Sequence, residues 1–400
     1  MSATPPVPLT GLLLTGGGAR AAYQAGVLLA LARLRRSALG TAGARAAGNP
    51  FPIITGTSAG AINAAALACG ADDFDLAVHS IVQAWRQVRH QQVYSAEALT
   101  LLDVPGRWRM LLGLARLLAR WRRRQPHALL DNTPLADLLA RLVPLQHLAP
   151  LMAAGHLRAL AVTASSYSSG QHVTFYQCSA PMPPWVRSQR QAVAGPIGYA
   201  HLLASAAIPF VFPATAIGHG DHVEYFGDGS MRQSAPISAA IHLGAERILV
   251  VGSGRVHEPG DPAAPNTYGG EPSLAQIAGH ALSSIFLDAL AVDVERAERI
   301  NQTLALIPEQ ARQGTVLRPV RLLVLSPSQR IDAMAARHVD ALPSVVRRAI
   351  GNGNAAAQSA ALASYLLFDA GFTRELMALG RADTLERGGE VLDFFGWCGA

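Results

Sequence analysis

Two polar side chains stand out for the company they keep. Ser58 lies in "IITGTSAGAIN", a G-x-S-x-G in which Gly56 and Gly60 flank it where an apolar run passes into a helical one. A serine on such a strand-to-helix turn projects its hydroxyl outward, and small neighbours let a substrate approach. The helix N-terminus behind it favours negative charge that develops during a reaction. Asp228 lies in "YFGDGSMRQ", between Gly227 and Gly229 and ahead of a helical pattern, so its carboxylate can stand at the same sheet edge. Asp-Gly is also common in ordinary turns. None of the thirteen histidines singles itself out as a third partner.

The stretch "LLLTGGGARAAYQAG" adds Gly16, Gly17 and Gly18 between a strand and a helix. Their N–H groups suit the oxyanion of a tetrahedral intermediate formed at Ser58, and preorganised donors of that kind contribute ~10²–10³ in rate each. The same spacing, Gly16-x-Gly18-x-x-Ala21, fits a dinucleotide loop. The acidic partner of such a loop is missing, because no Asp or Glu occurs between Ala21 and Gly70; Arg35, Arg36 or Arg45 would have to meet a 2′-phosphate instead. A Walker loop fails for want of a lysine. An NADP-binding oxidoreductase therefore stays open beside a serine hydrolase. Arg20 either anchors the loop, meets an anion, or is a surface residue at a helix start.

Strand, glycine turn and helix occur twice within the first seventy residues: a strand at Gly11–Leu14 with a helix from Ala21 to Arg36, then "PFPIIT" with "AGAINAAALACG". This alternation predicts parallel βαβ units with functional loops at the carboxyl ends of the strands. A mostly helical stretch over 72–148, a strand pair in "HLRALAVTASSYSSGQHVTFYQC" and strands in "HVEYFGD", "RILVV" and "VRLLVLSP" follow. Between them, "RVHEPGDPAAPNTYGGEP" reads as a loop boundary, and a long helix is expected from Ser273 to Asn301.

Half of the 400 residues are hydrophobic and 15% are charged, which describes a globular chain with an apolar bias. The net charge is +6, and every basic side chain is an arginine. Cys69, Cys178 and Cys398 are scattered without metal-ligand spacing, and the opening residues carry no basic region ahead of an apolar one. These features predict a cytoplasmic protein with no metal site and no spanning helix.

The segment "PGRWRMLLGLARLLARWRRRQP" places Arg109, Arg116, Arg120, Arg123 and Arg124 in one arc of a helical wheel, with Trp108, Trp121 and leucines around the rest. Such a helix suits an anionic membrane surface, where each basic residue contributes ~1 kcal/mol. It equally suits a cap that packs its apolar face on the sheet. No nucleic-acid motif accompanies the arginines.

Taken in order, "TGGGARAAYQAGVL", "GTSAGAINA", "ASAAIPFVFPA" and "DGSMRQSAPI" resemble the patatin-like phospholipases of bacteria. The resemblance implies an α/β three-layer sandwich with a central, largely parallel β-sheet flanked by helices. It implies a Ser–Asp dyad without histidine: Ser58 as nucleophile, Asp228 as its base, Gly16, Gly17 and Gly18 as oxyanion hole, and Arg20 as the loop arginine. It implies release of fatty acids from membrane lipids with no cofactor, a lipid acyl ester being the partner. Ala21 and Ser230 depart from the glycine and the glycine or alanine usual at those places. The expected layout is a tail at 1–10, a catalytic domain at 11–254 with its helical insertion at 72–148, and a mainly helical extension at 255–400, with one further strand, packed on it. A catalytically idle membrane-binding regulator of the same fold is the remaining alternative.

Overall fold

A computed structural model describes residues 8–96, 128–219, 222–254, 289–312, 314–350 and 354–397, together with the single positions 277 and 284. Ten strands form one sheet. They are β1 (Thr10–Leu14), β2 (Ile53–Thr57), β3 (Ala159–Ser166), β4 (His172–Cys178), β5 (Val186–Arg187), β6 (Arg190–Ala194), β7 (Thr215–His219), β8 (His222–Asp228), β9 (Arg247–Val251) and β10 (Arg321–Leu325). The order is β10-β9-β1-β2-β3-β4-β6-β5, with β8 against β3 and β7 against β8. From β10 to β3 all neighbours are parallel, and β4 then turns antiparallel.

Parallel strands joined by helices have both faces covered, so their side chains alternate between two cores. In β1, Leu12 and Leu14 join one buried cluster while Leu13 joins the other; in β9, Leu249 and Val251 oppose Ile248 and Val250 in the same way. The result is a mixed, mostly parallel sheet between helical layers, as the alternation of motifs predicts. The helices that matter below are α1 (Ala22–Ala46), α2 (Ala59–Ala68), α3 (Phe74–Gln87), α4 (Thr133–Leu142), α5 (Ala289–Leu306), α6 (Asn354–Leu366) and α7 (Ala370–Glu386).

Helix α1 runs beyond the predicted Arg36 to Ala46, bending at Gly40, where φ is 68°. It is buried nearly all round its first half because α7 covers the side away from the sheet. The two backbones approach closely enough that a Cβ on Gly26 would overlap the Met377 backbone, and one on Gly380 would overlap that of Tyr23. Apart from the single positions 277 and 284, the described part of the predicted Ser273–Asn301 helix lies in α5, which extends to Leu306. Among the described residues no helix is long and apolar enough to cross a membrane.

Candidate active site

The register of β3 explains how two distant motifs meet. One edge of β3 is taken by β4, which pairs with Ala159 through Ser165. On the other edge β2 covers Ala159 to Thr163, and β8, running the opposite way, takes Ala164 to Ser166. The strands β2 and β8 therefore run head-on and stop at adjacent positions, Thr57 opposite Thr163 and Asp228 opposite Ala164. Ser58 is the next residue after Thr57. The carboxyl ends of both strands thus deliver the hydroxyl and the carboxylate to one point.

Ser58 has φ 56° and ψ −133°. A non-glycine residue adopts such a left-handed backbone only at a cost of ~1–3 kcal/mol and only when its surroundings enforce it. Its N–H donates to Ser205 Oγ at 2.8 Å, and that hydroxyl donates to the Thr163 carbonyl at 2.6 Å. Its carbonyl accepts the Ala61 N–H at 2.9 Å and starts α2. The motif glycines allow the close packing this turn requires. A Cβ on Gly60 would overlap the Leu14 and Thr15 carbonyls, and one on Gly56 would overlap the backbone of Gly60 and Ala61.

Asp228 is fully buried. Its Oδ1 accepts the Ser230 N–H at 2.9 Å, while Oδ2 has no formed hydrogen bond. Loss of solvent pushes its pKa up to about 6, opposed first by the neighbouring Ser58 hydroxyl and then by the Ser230 groups.

The glycine loop is held from outside by its carbonyls. Gly16 C=O accepts the Ser253 hydroxyl, Gly17 C=O accepts the Arg20 N–H at 3.1 Å, and Thr15 C=O accepts Gln24 Nε2 at 2.8 Å. In a trans peptide the next N–H points opposite the carbonyl, so these bonds aim the Gly16, Gly17 and Gly18 N–H groups away from their anchors. Arg20 is 4% exposed and roots in the C-terminal helices, hydrogen-bonding Ser364; it does not line the cavity beside Ser58.

That cavity, about 220 Å³, is lined by Gly18 and Ser58 and walled mainly by apolar side chains, with Asn63, Ser80, Gln87 and Gln92 among them. Ala59, Ile62 and Ala66 line it from α2, Ile81 and Trp85 from α3, and Leu135, Leu138 and Leu139 from α4, with Phe212 and Phe368 between them. Among the described residues no histidine lines it. A hydroxyl, a basic carboxylate, backbone donors and an apolar channel are what acyl transfer from a long-chain ester requires.

Of the residues singled out in the sequence, Ser58 and Asp228 are brought together and Gly18 joins Ser58 at the cavity. Trp108, Arg109, Arg116, Arg120, Trp121, Arg123 and Arg124 lie outside the described residues. Ser205, Ser253 and Phe368 also belong to the site, although the motifs do not single them out. Ser205 sits in the quoted "ASAAIPFVFPA", at the end of the short helix Tyr199–Ser205, whereas Ser253 follows β9 at the same sheet edge, so strand-end position is a signal for Ser253 alone. Among the described residues no cluster of His, Cys, Asp and Glu could hold a metal ion.

A family model described as patatin-like phospholipase matches residues 12–241. No curated protein matches the chain. Among solved structures, VipD from Legionella pneumophila aligns over 93% of this chain and 67% of its own, at 12% identity and a TM-score of 0.33.

Proposed function

Because the chain belongs to the patatin-like phospholipase family, we propose that it is a serine acyl hydrolase of membrane lipids, of the phospholipase A or lysophospholipase type. The observation that carries the reading is the head-on meeting of β2 and β8, which sets Ser58 beside a buried Asp228 at the mouth of an apolar cavity.

Ser58 Oγ attacks the ester carbonyl as Asp228 takes its proton, and the glycine N–H groups hold the oxyanion. Collapse of the intermediate breaks the bond to the alcohol, which leaves with the proton from Asp228, and an acyl-Ser58 ester remains. A water molecule then loses a proton to Asp228 and attacks that ester; fatty acid departs and Ser58 recovers its proton. Burial suits Asp228 to both roles, because a carboxylate whose pKa is pushed up to about 6 accepts a proton more readily than an ordinary one. The apolar cavity takes the acyl chain. The sequence calls for no metal and no cofactor. The cationic, Trp-flanked segment around Arg109–Arg124 supplies contact with an anionic membrane surface, as a peripheral protein of the cytoplasmic side.

Fluorophosphonate labelling of the intact protein, Ser58→Ala and Asp228→Asn tests the dyad. The expected result is a single adduct on Ser58, absent in Ser58→Ala and slowed by ~10³-fold or more in Asp228→Asn. NADPH binding at micromolar levels by a folded protein that never labels would overturn the reading.

A further inference from the structure

We infer that residues 361–368, outside the region matched to the family, are a working part of the active site: they set the position of the oxyanion loop and close the acyl cavity. The inference rests on the acyl-hydrolase reading. Three contacts converge on this short stretch at the end of α6.

The first is backbone on backbone. Gly18 has φ +55° and lies so close to Tyr365 that a Cβ there would overlap its carbonyl oxygen. The C-terminal chain is therefore a wall against which the loop rests. The second is Arg20, which is tied at both ends. Its backbone N–H closes the turn onto Gly17 C=O, and its side chain reaches into the C-terminal segment. There Nε donates to Ser364 Oγ at 2.7 Å, Nη2 donates to the Ala361 carbonyl at 3.3 Å, and the guanidinium lies 4.0 Å from the centre of the Tyr365 ring. Arg20, Ser364 and Tyr365 are at most 4% exposed. A planar cation with forked donors over an aromatic face fits this socket, and a lysine ammonium does not.

The third contact is Phe368. It lines the same cavity as Ser58 and Gly18, stacks on Trp85 at 6.3 Å between centroids, and meets the Tyr94 ring at the same distance. The stretch is also held by a hydrogen bond: Tyr94 donates its hydroxyl to the Leu366 carbonyl at 3.1 Å, and in the helix that follows Thr373 Oγ1 donates to the Trp85 carbonyl at 2.8 Å. One end of the segment thus touches the donors for the oxyanion and the other touches the path of the acyl chain. Arg20, Ser364 and Tyr365 are positioning residues for the first, and Phe368 is a specificity residue for the second.

This division predicts a split that a general loss of packing would not produce. On soluble esters of graded chain length, Arg20→Lys and Ser364→Ala should lower kcat by about tenfold or more at every chain length with KM within about twofold of wild type. Phe368→Ala should raise KM severalfold more for long-chain esters than for acetyl esters, since the cost of lost apolar contact grows with the chain. Thermal melts identify any variant that fails to fold; Ser364→Thr, which keeps the hydroxyl, and Phe368→Leu then carry the same comparison, with Ser364→Thr expected to restore most of kcat. Folded Arg20→Lys and Ser364→Ala proteins with wild-type kcat, or a Phe368 effect equal at all chain lengths, would overturn the inference while leaving the hydrolase intact. A folded wild-type protein that hydrolyses none of the esters and takes no fluorophosphonate would overturn the hydrolase reading, and this inference with it.

Discussion

Replacing the proposed base should stabilise the protein, and the size of the gain follows from the burial of Asp228. In the unfolded chain its carboxyl ionises near 3.8, whereas in the fold the pKa is pushed up to about 6 because the charge is taken out of water. Below pH 4 the group is protonated in both states and the difference has no effect. Between about 4 and 6 the unfolded chain releases the proton and the native state does not, so stability falls as pH rises through this window. Above 6 both states are ionised and the native state carries the full cost. At ~1.4 kcal/mol for each pH unit, the change from 3.8 to about 6 amounts to about 3 kcal/mol. Asp228→Asn removes the charge, keeps an oxygen for the Ser230 N–H, and turns an amide donor toward Ser58 Oγ. At pH 8 it should therefore be more stable than wild type by up to about 3 kcal/mol while its esterase activity is lost, and the advantage should shrink to nothing near pH 4. Urea or thermal unfolding of both proteins across pH 4 to 8 is the assay. A variant less stable than wild type at pH 8, or an advantage that does not change with pH, would refute the reasoning.

In the proposed mechanism the same carboxyl acts on activity in the opposite sense, because only its ionised form accepts the Ser58 proton: kcat/KM should rise with pH along a limb centred at about 6, and Asp228→Glu should move that midpoint. A profile flat from pH 5 to 8 would remove Asp228 from the role of base. Cavity length should set chain length. Ser58, Ile62 and Ala66 follow one face of α2 from its cap inward, and all three line the cavity. Eight residues of helix span about 12 Å. Ala66→Phe should therefore cut hydrolysis of long-chain esters while sparing butyryl esters. Gas-chromatographic analysis of fatty acids released from mixed-chain vesicles reads this directly, and an unaltered chain profile would place the acyl chain elsewhere.

What was legible in the sequence is what a dozen neighbouring residues encode. Strand, glycine turn and helix are contiguous in "LLLTGGGAR" and "IITGTSAGAIN", so both strand ends, and hence both loops, could be placed on one sheet edge. Asp228 was legible for the same reason. Ser205, Ser253 and the segment that includes Ser364 were not, because each matters through a contact with a motif far away; Ser364 is 344 residues from Arg20. Serine is common in turns, and nothing in its immediate neighbours says that its hydroxyl will hold another loop's backbone. The short strands β5, β6 and β7 are not marked in the sequence either. Val186 and Arg187 are exposed, and half-exposed edge strands lack the continuous apolar run that marks a central one.

How two residues can suffice in the proposed dyad, with no imidazole between them, also follows from the register. Thr163 and Ala164 are adjacent on β3, and the strand ends that oppose them bring Ser58 and Asp228 to neighbouring positions. An imidazole has to be bonded at both nitrogens to relay between a serine and a carboxylate, and the Ser58 hydroxyl already neighbours the Asp228 carboxylate directly. A bare aspartate in water would be a poor base for a serine hydroxyl, since its ordinary pKa near ~3.9 lies well below the ~6.5 of histidine. Burial closes most of that gap by moving Asp228 to about 6. In the proposed mechanism the fold would thus obtain basicity near that of imidazole from a carboxylate by desolvating it, at the place where the ends of two strands meet. The stability lost at Asp228 and the rate gained there have the same physical origin, so a substitution that readmits water to its Oδ2 should return stability and remove activity together.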